Sequence, residues 1–372
     1  MSATSPAGPT RTVVAMSGGV DSSVAAALLV DAGHDVVGLS MQLYDHREGD
    51  ERFGGCCTLD DLRDAKRVAR RLGIPHYIVN FAPQFEAHVI SNFTAEYLAG
   101  RTPIPCTRCN SEVKFAALLE RAEGLSAPLL ATGHYARLTF DAGSGRYRLW
   151  RGADRAKDQS YFLFGLTQAQ LACASFPVGD LDKRTVRRLA ADLELSVAEK
   201  PDSHELCFVP DGDHAGFIER HTGVRPEPGP VVDTGGRVLG AHGGLHRYTV
   251  GQRKGLGLSS PTPLYVIALD PALNAVVVGG RTDLDRHELT ASRVNWIAGA
   301  APAGEVAVTA RIRHRQAERA ARVRTIAPDR VAVRFESPQQ AVAPGQAVVF
   351  YEGEEVLGGG WIDSADAVTR PT

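Results

Sequence analysis

Thr12-Val13-Val14-Ala15-Met16 is followed directly by Ser17-Gly18-Gly19-Val20-Asp21-Ser22-Ser23, and the two segments together indicate the class of fold. The β-branched run predicts a strand, and the pattern at 22–32, closed by Gly33, predicts a helix. Two adjacent glycines let the backbone turn tightly and approach a ligand closely. Ser22 and Ser23 begin the helix, where N–H groups and the helix dipole favour an anion. The loop is therefore predicted to bind phosphate, although it lacks the Lys of the G-x-x-x-x-G-K-[ST] loop.

Short β-branched runs alternate with amphipathic helical patterns through the first half of the chain. Such alternation is typical of a parallel sheet with helices on both faces. It predicts strands at 12–16, 35–41, 75–81 and 128–132, and helices at 22–32, 59–72, 83–99, 110–122 and 182–193. Asn110 is the predicted cap of the fourth helix. We therefore expect an α/β Rossmann-like catalytic domain at 12–210, after a disordered tail at 1–11 that lacks the apolar core of a signal peptide.

The composition and periodicity of the sequence change after about residue 210, where glycine and proline become frequent and helical periodicity is lost. The proline-rich stretch 226–230 is typical of a domain junction. Short strands then dominate 231–278, and strands alternate with turns from 289 onward, for example at 306–312, 330–335 and 347–351. The second half therefore predicts a small β-rich central domain at 211–283 and a C-terminal β-barrel at 284–372.

Composition narrows the class of protein and its compartment. The 372 residues carry a formal net charge of −2, so any nucleic-acid surface has to be local. No apolar run approaches the roughly 18 residues that a membrane span needs, and we expect a cytoplasmic protein with no membrane partner. Residues 301–350 hold eight arginines, no lysine and four acids, and Arg311, Arg313 and Arg315 are expected to share one strand face. Such an arginine strip fits RNA, because Arg binds phosphate in a bidentate manner and stacks on bases.

The six cysteines indicate catalysis or metal binding, because clustered thiols in a reducing compartment rarely serve as structural staples. Cys106-Thr107-Arg108-Cys109 is a C-x-x-C motif, which by itself leaves zinc, redox chemistry and catalysis open. Cys109 stands beside Arg108 and just before the predicted helix cap, and both features lower the pKa of a thiol. The role predicted for Cys56, Cys57 and Cys173 is that of small buried apolar side chains.

The loop at 17–23 resembles the PP-loop of ATP pyrophosphatases, which follows the pattern S-G-G-x-D-S. The resemblance implies that the loop binds the pyrophosphate of ATP and that Asp21 lies near Mg²⁺. It also implies that Met41 contacts the adenine and that Gly133, in the stretch A-T-G-H-Y-A-R at 131–137, contacts the nucleotide. The implied ATP-binding residues are Ala15, Met16, Ser17, Gly18, Gly19, Val20, Asp21, Ser22, Met41 and Gly133, and no resident metal site is predicted.

Two cysteine segments resemble those of the bacterial tRNA 2-thiouridylases. The first is Gly100-Arg101-Thr102-Pro103-Ile104-Pro105-Cys106-Thr107-Arg108-Cys109-Asn110, which is similar to G-R-T-P-N-P-x-x-x-C-N. The second is Lys200-Pro201-Asp202-Ser203-His204-Glu205-Leu206-Cys207-Phe208, which is similar to K-x-D-S-x-x-x-C-F. The resemblance implies that Cys109 is a nucleophile, that Cys207 carries a persulfide, and that the two form a transient disulfide. Ile104 replaces the usual Asn and cannot form the hydrogen bonds of an amide.

Further motifs in the family's order extend the resemblance from about residue 13 to about residue 361. They are A-T-G-H-Y-A-R at 131–137, K-D-Q-S-Y-F-L at 157–163, G-Q-R-K-G-L-G at 251–257, R-H-R-Q at 313–316 and P-G-Q-A-V at 344–348. The resemblance implies that tRNA is contacted by His134, Lys157, Asp158, Gln159, Arg313, His314 and Gln346. Two alternatives stay open: Arg253 and Lys254 grip RNA or form an exposed turn, and Lys157 binds phosphate or is a solvated surface charge.

The activity that this resemblance implies is the conversion of the wobble uridine (U34) of tRNA into 2-thiouridine. ATP with Mg²⁺ adenylates the C2 oxygen, and the sulfur comes from a persulfide on Cys207 that a cysteine desulfurase or a relay protein supplies. AMP and pyrophosphate are the other products. Three alternatives remain: another PP-loop enzyme such as an amide-forming ligase, a non-catalytic RNA-binding protein, and a zinc-stabilised redox protein. The ligase has no need of both Cys109 and Cys207.

Overall fold

The computed structural model describes residues 9–43, 58–202 and 206–365 of the chain. Cys56, Cys57 and most of the predicted tail lie outside these described residues. The chain divides into two compact units, one formed by Met1–Val89, Cys106–Gly212 and Glu354–Val356, and the other by Ile90–Pro105, Asp213–Gly353 and Leu357–Thr372. None of the helices within the described ranges has the length and apolar character needed to cross a lipid bilayer.

The first unit is built on a parallel sheet. Its strands are, in chain order, β1 (Arg11–Ala15), β2 (Asp35–Gln42), β3 (His76–Asn80), β4 (Leu129–Ala131), β5 (Ala136–Asp141), β6 (Arg146–Arg151) and β7 (Ala174–Ser175). β5 and β6 form an antiparallel hairpin, and the other strands pair in parallel in the order β3-β2-β1-β4-β7. The predicted Rossmann-like sheet is confirmed. β1 begins at Arg11, inside the predicted tail, because Arg11 forms an ion pair with Asp35 at 2.7 Å.

The helices agree with the predicted pattern most closely where a local cap signal is present. They are, in chain order, α1 (Val20–Asp31), α2 (Leu59–Leu72), α3 (Ala82–Phe85), α4 (Ser91–Leu98), α5 (Pro105–Arg108), α6 (Leu118–Gly124), α7 (Gln168–Ala172), α8 (Lys183–Asp192) and α9 (His214–Thr222). Thr58 and Asp61 form a capping box at the start of α2, and Gly73 ends it with a φ of 69°. α4 and α9 belong to the second unit.

The core of the first unit lies between the sheet and helices α1, α2 and α8. Val14 of β1, Val24 of α1, Val68 of α2 and Val186 of α8 are each at most 1% exposed and belong to one apolar cluster. Burying a side chain of this size stabilises the fold by about 1.5–3 kcal/mol. The packing holds the start of α1, and therefore the loop before it, at the end of β1.

The second unit contains two β structures. The smaller is a sheet of β8 (Gly229–Asp233), β9 (Val238–His242), β10 (Tyr265–Asp270) and β11 (Ala275–Gly279), in the order β10-β11-β8-β9. The larger consists of β12 (Asp285–Trp296), β13 (Glu305–Arg311), β14 (Arg319–Ala327), β15 (Arg330–Gln340), β16 (Ala347–Glu352) and β17 (Glu355–Ala365). β12 pairs with both β15 and β17, which closes a barrel. The predicted β-rich central region and C-terminal β-barrel are confirmed.

The predicted strip of three arginines on one strand face is wrong. β13 ends at Arg311, and Arg313 and Arg315 lie in the turn that follows. The Arg311 side chain is only 12% exposed, pairs with Glu318 at 3.2 Å and lies over the ring of Tyr351. The alternation of polar and apolar residues continues past the last ladder hydrogen bond, so the pattern alone overestimates the length of the strand.

Candidate active site

The loop at 17–23 joins β1 to α1 and is held in shape by its own serines. Ser22 Oγ accepts from the backbone N–H of Ser17 at 3.2 Å and donates to the carbonyl of Gly19 at 3.2 Å, and Ser23 Oγ donates to the same carbonyl at 2.8 Å. Gly18 has a φ of +73°, and a Cβ there would lie 2.1 Å from the carbonyl oxygen of Asp61. A tight loop that opens a helix has the geometry of an anion site.

The predicted nucleotide contacts meet at the carboxyl edge of the sheet because β2, β1 and β4 are neighbours. Met41 lies near the end of β2 and is 8% exposed, so most of its side chain packs in the core. Gly133 follows β4, and a Cβ there would lie 2.6 Å from the backbone nitrogen of Ser22. The structure therefore brings Gly133 against the start of α1, at the sheet edge where open α/β folds bind ligands.

Asp21, in the first turn of α1, is bound by two side chains from distant parts of the sequence. Tyr135 donates its hydroxyl to Oδ1 at 2.7 Å, and Lys183 donates its ammonium to Oδ1 at 2.8 Å and to Oδ2 at 2.9 Å. Burial and the negative charge of Asp21 raise the pKa of Tyr135, so its hydroxyl stays protonated and can donate. Lys183 is the first residue of α8, whose cap is Asp182. A cation and a hydroxyl thus orient the carboxylate of the loop.

Asp202 joins the same lysine to further cations. Its carboxylate accepts from Lys183 Nζ at 2.8 Å, from Lys157 Nζ at 2.7 Å and from Arg187 Nη2 at 3.0 Å. Burial opposes ionisation, but the hydrogen bonds and charges of Lys157 and Lys183 outweigh it and lower the pKa of Asp202 from 3.8 to about 2. A lowered carboxyl pKa stabilises the fold at pH values above the unfolded pKa of 3.8, and this stabilisation is lost as the pH falls towards 2.

Lys200 ties the loop to α2. Its ammonium donates to the carbonyl of Gly18 at 3.0 Å and forms ion pairs with Asp61 at 2.6 Å and Asp64 at 2.7 Å. Burial acts to lower the pKa of Lys200, but the hydrogen bonds to the two carboxylates outweigh it and raise that pKa. The lysine is therefore charged, and it supports the loop from the side of α2.

Cys109 and Cys207 carry thiols, Cys109 in a buried position and Cys207 in a half-buried one. Cys109 begins the π-helical stretch Cys109–Ala117, and π-helical turns occur frequently at functional sites. This stretch packs against α3, and Phe85 of α3 lies edge-on to Phe208 with ring centroids 5.8 Å apart. The segments that carry the two cysteines therefore both adjoin α3.

The prediction that Asn110 caps a helix is wrong. The helix begins at Pro105, and Asn110 is buried inside it, with its Nδ2 donating to the carbonyl of Phe162 at 3.3 Å. Proline suits the first turn of a helix because that position needs no N–H partner. Cys109 lies past the first turn, so the helix N-terminus does not adjoin its thiol as the sequence suggests.

His134 is half-buried and is kept uncharged by its surroundings. Its Nδ1 lies 2.7 Å from Thr132 Oγ1, and its ring packs against Phe115 and Phe176. Burial, and secondarily the charge of Lys114, hold the pKa of His134 well below its usual value. A neutral imidazole can hydrogen-bond a base or a ribose, whereas it has no charge with which to attract phosphate. Its contact with tRNA stays a prediction.

Asp158 is buried beside a charged side chain. Its side chain is 2% exposed and faces the fully buried Arg151, with Nη1 and Oδ2 3.7 Å apart. Its Oδ1 accepts from the backbone N–H groups of Gly152 at 3.2 Å and Ser160 at 3.1 Å. The carboxylate holds the loop that carries Lys157, and the contact of Asp158 with tRNA stays a prediction.

Gln159 also stabilises the backbone. Its Oε1 accepts from the N–H of Tyr135 at 3.0 Å, and its own N–H donates to the carbonyl of Tyr135 at 2.9 Å. These bonds fix the residue that donates to Asp21. A contact of Gln159 with tRNA stays a prediction.

In the second unit, Arg313 binds the backbone at two points. Its Nη2 donates to the carbonyls of Val250 at 3.2 Å and Ala341 at 2.7 Å. His314 beside it is half-buried. The structure thus gives Arg313 a structural role, and the contacts of Arg313 and His314 with tRNA stay predictions.

Gln346 holds the segment that precedes the cysteine motif. Its Nε2 donates to the carbonyls of Thr102 at 2.9 Å and Pro103 at 3.4 Å. Ile104, which stands in place of the family's usual Asn, is buried with 9% exposure. The contact of Gln346 with the target base stays a prediction.

Sequence reasoning missed Tyr135, Lys183, Lys200 and Asp202 as site residues. Tyr135, Lys200 and Asp202 stand inside motifs that point to a neighbouring residue, so their sequence context already indicates a functional segment. Lys183 had no such signal, because it reads as an ordinary residue after a helix cap, and its partner Asp21 is 162 positions away.

Three family models match the chain: a tRNA methyl transferase HUP domain at 10–211, a tRNA methyl transferase PRC-barrel domain at 215–280 and an aminomethyltransferase beta-barrel domain at 286–362. The fold and the loop thus define a HUP-domain protein with two appended β domains. The chain is 54% identical over 361 residues to the tRNA-specific 2-thiouridylase MnmA of Geotalea uraniireducens, covering 95% of each protein. It is 54% identical over 364 residues to that of Solibacter usitatus, covering 94% of this chain and 98% of the relative. The chain belongs to the tRNA-specific 2-thiouridylase family.

Two solved structures resemble the chain loosely. NMN synthetase from Francisella tularensis matches with a TM-score of 0.34 and 17% identity, over 59% of this chain and 80% of that one. A 4-thiouridine synthetase in complex with RNA and ATP matches with a TM-score of 0.35 and 17% identity, over 57% of this chain and 50% of that one.

Proposed function

We propose that this protein is an ATP-dependent tRNA-uridine 2-sulfurtransferase. It replaces the C2 oxygen of the wobble uridine (U34) by sulfur and yields 2-thiouridine, AMP and pyrophosphate. One observation carries the proposal: a phosphate-type loop with its carboxylate cluster and the thiols of Cys109 and Cys207 occur in one compact unit. The relatives named tRNA-specific 2-thiouridylases support it.

The nucleotide site of the proposed enzyme is formed by the loop at 17–23, together with Ala15, Met16, Met41 and Gly133. Proteins usually hold Mg²⁺ by one or two carboxylates together with substrate phosphates. Asp21 and Asp202 are two carboxylates that lie close together, because both bind the ammonium group of Lys183. They would supply the protein ligands of such an ion. In the described parts of the chain, no group of three or more His, Cys, Asp or Glu side chains is arranged to hold a metal ion. ATP supplies the adenylyl group that turns the C2 oxygen into a leaving group.

In the proposed sulfur transfer, the outer sulfur of a persulfide on Cys207 bonds to C2 while the bond from C2 to the adenylated oxygen breaks, and AMP leaves. Cys109 then attacks Sγ of Cys207. The bond between that Sγ and the transferred sulfur breaks, its electron pair stays on the transferred sulfur, and a Cys109–Cys207 disulfide forms. An external thiol reduces the disulfide. The half-exposed position of Cys207 suits reloading by a cysteine desulfurase or a relay protein.

The proposed tRNA contacts come from both units. His134, Lys157, Asp158 and Gln159 belong to the first unit, and Arg313, His314 and Gln346 belong to the second. The target base has to leave its stack to reach a thiol, at a cost of a few kcal/mol. A neutral His134 is suited to hydrogen-bond such a base, and the ammonium of Lys157 is suited to a phosphate.

Mass spectrometry of tRNA nucleosides tests the proposed function. We expect tRNA from cells that lack the protein to lose 2-thiouridine derivatives at the wobble position, and re-expression to restore them. Other thiolated nucleosides of the same tRNA pool should persist, which provides an internal control. Unchanged 2-thiouridine in the deficient cells would exclude the proposed function.

Replacement of Lys183 by Ala is expected to lower kcat/KM for ATP by roughly 10- to 100-fold. The reason is that Asp21 loses charge-assisted hydrogen bonds worth about 1.5–3 kcal/mol and is left beside Asp202 without a counter-ion. The measurement is tRNA-dependent AMP formation as a function of ATP concentration. The matched control is Arg63→Ala, which removes an exposed cation of α2, and it should change the rate less than twofold. A Lys183→Ala enzyme with unchanged kcat/KM would contradict the role given to Lys183.

A further inference from the structure

A cleft lies in the second unit, beside the segment that joins Thr249 to β10. Its volume is about 370 Å³, and it is lined by Arg253, by the backbone around Gly255 and Gly257, and by the apolar stretch 261–264. Sites for small ligands have volumes of roughly 300–1,000 Å³. The cleft is therefore large enough for one nucleotide unit and too small for a helix.

The segment 251–264, here the 251–264 loop, is held in place at its base. Gln252 Oε1 accepts from the N–H of Thr249 at 3.0 Å, and Gln252 Nε2 donates to the carbonyl of Lys254 at 3.0 Å. Leu256 is 7% exposed and belongs to the apolar cluster of the central sheet. Long loops that have no secondary structure but are firmly anchored are usually functional.

The charges at the cleft are cationic and open to a ligand. Arg253 and Lys254 are exposed, and no carboxylate in the described ranges forms an ion pair with either of them. Arg237 of the same unit differs, because it pairs with Asp233 at 3.1 Å. Two cations that no acid neutralises favour an anionic partner.

The backbone of the 251–264 loop also suits an anion. Gly255 and Gly257 have φ values of +74° and +67°, a conformation that only glycine adopts without strain. Within the described chain, the N–H groups of these two glycines have no hydrogen-bond acceptor in the protein. Turns that expose N–H groups in this way form concave anion sites.

The 251–264 loop begins next to the turn that carries Arg313. A Cβ on Gly251 would lie 3.5 Å from Nη2 of Arg313 and 2.6 Å from Cβ of Ala341. Arg315, two residues beyond Arg313, is exposed. The loop and the arginine turn are therefore neighbours within the second unit, and their exposed cations can follow one continuous polyanion.

We propose that this cleft, with Arg253 in its lining and Lys254 next to Arg253 in the chain, binds the sugar-phosphate backbone of tRNA. The inference rests on the proposed function, since it takes tRNA as the partner. The guanidinium of Arg253 suits bidentate contact with a phosphate, Lys254 adds a point charge, and the glycine backbone lets the chain approach closely. Contacts of this kind position the RNA and carry no sequence information.

The test is the salt dependence of tRNA binding by the full-length protein. A plot of log Kobs against log salt concentration has a negative slope. The double variant Arg253→Ala/Lys254→Ala should make this slope less steep by about 2, because about one counter-ion is released for each phosphate contact. The loss of affinity should be equal for different tRNAs. Binding of a non-hydrolysable ATP analogue should be unchanged, and the Tm should stay within about 2 °C because both side chains are exposed.

The matched control is Arg220→Ala/Arg237→Ala, which removes the same net charge from exposed positions of the same unit that are paired with acids. Its salt slope should equal that of the wild type. If the Arg253→Ala/Lys254→Ala variant keeps the wild-type slope, the cleft does not bind the backbone and the inference fails. If the wild type itself binds no tRNA, the proposed function fails instead.

Discussion

Serine in place of Cys109 or Cys207 is expected to lower the rate of 2-thiouridine formation by about a thousandfold or more. In Cys207→Ser the serine hydroxyl cannot carry a persulfide sulfur, so sulfur is not delivered to C2. In Cys109→Ser the hydroxyl is not ionised near neutral pH, so it cannot attack Sγ of Cys207 and release the transferred sulfur. The measurement is the single-turnover formation of 2-thiouridine in tRNA by purified protein with ATP and a persulfide donor. Release of pyrophosphate, which accompanies the proposed adenylation and precedes sulfur transfer, should change by no more than about threefold, because the loop at 17–23 and its carboxylate cluster contain neither cysteine.

The control for both variants is Cys173→Ser, which replaces a thiol outside the proposed reaction that is half-buried like that of Cys207. It should thiolate tRNA at nearly the wild-type rate. The proposed assignment of the two thiols is wrong if Cys207→Ser keeps its activity. A variant that loses pyrophosphate release as well as thiolation would indicate instead that the cysteine supports the nucleotide site.

Replacement of Asp158 by Ala is expected to lower the free energy of unfolding of the first unit by about 3–5 kcal/mol. The Arg151 side chain is fully buried, and removal of the Asp158 carboxylate takes a counter-charge away from it in the interior. The N–H groups of Gly152 and Ser160 also lose their acceptor. Urea unfolding followed by the fluorescence of Trp150, in a background where the other two tryptophans are Phe, reports on this unit because Trp150 adjoins Arg151.

Two controls separate the buried charge from a general effect of substitution. Asp180→Ala removes an acid that is 84% exposed, and it should change the free energy of unfolding by no more than about 0.5 kcal/mol. The double replacement Arg151→Met/Asp158→Leu should recover most of the lost stability, because an apolar pair of similar volume leaves no buried charge. A wild-type midpoint for Asp158→Ala would overturn the buried role given to this residue.

Much of the first unit could be predicted from the sequence because its elements carry local signals. The capping box at Thr58 and the left-handed Gly73 set both ends of α2, and Asp182 caps α8. The strands of the sheet are short apolar runs that no helical period can explain. The sequence predicts that the next helix begins at Asn110, whereas it begins at Pro105. The reason is that Asn110 has the side chain of a cap but lies buried in the helix interior.

The candidate site could be predicted only in part. Motif resemblance singled out the loop at 17–23, Gly133 and the two cysteines, and the structure brings Gly133 against the start of α1. It also singled out Asp158, but a motif position does not distinguish a residue that contacts a ligand from one that holds the neighbouring loop. The structural role of Asp158 could not be predicted, because the carboxylate is buried against Arg151, the last residue of β6.

The turn between β1 and α1 could be predicted without the fold, since its strand, glycines and helix start are consecutive and their effects are local. The sequence also predicts the parallel α/β sheet and the β character of the second half, because the hydrophobic period records them. The pairing of the charges, in contrast, depends on the tertiary structure. Lys183 forms ion pairs with Asp21 and Asp202, and Lys200 forms one with Asp61. Ion pairing depends on distances in space between side chains that are far apart along the chain, and no local pattern encodes those distances.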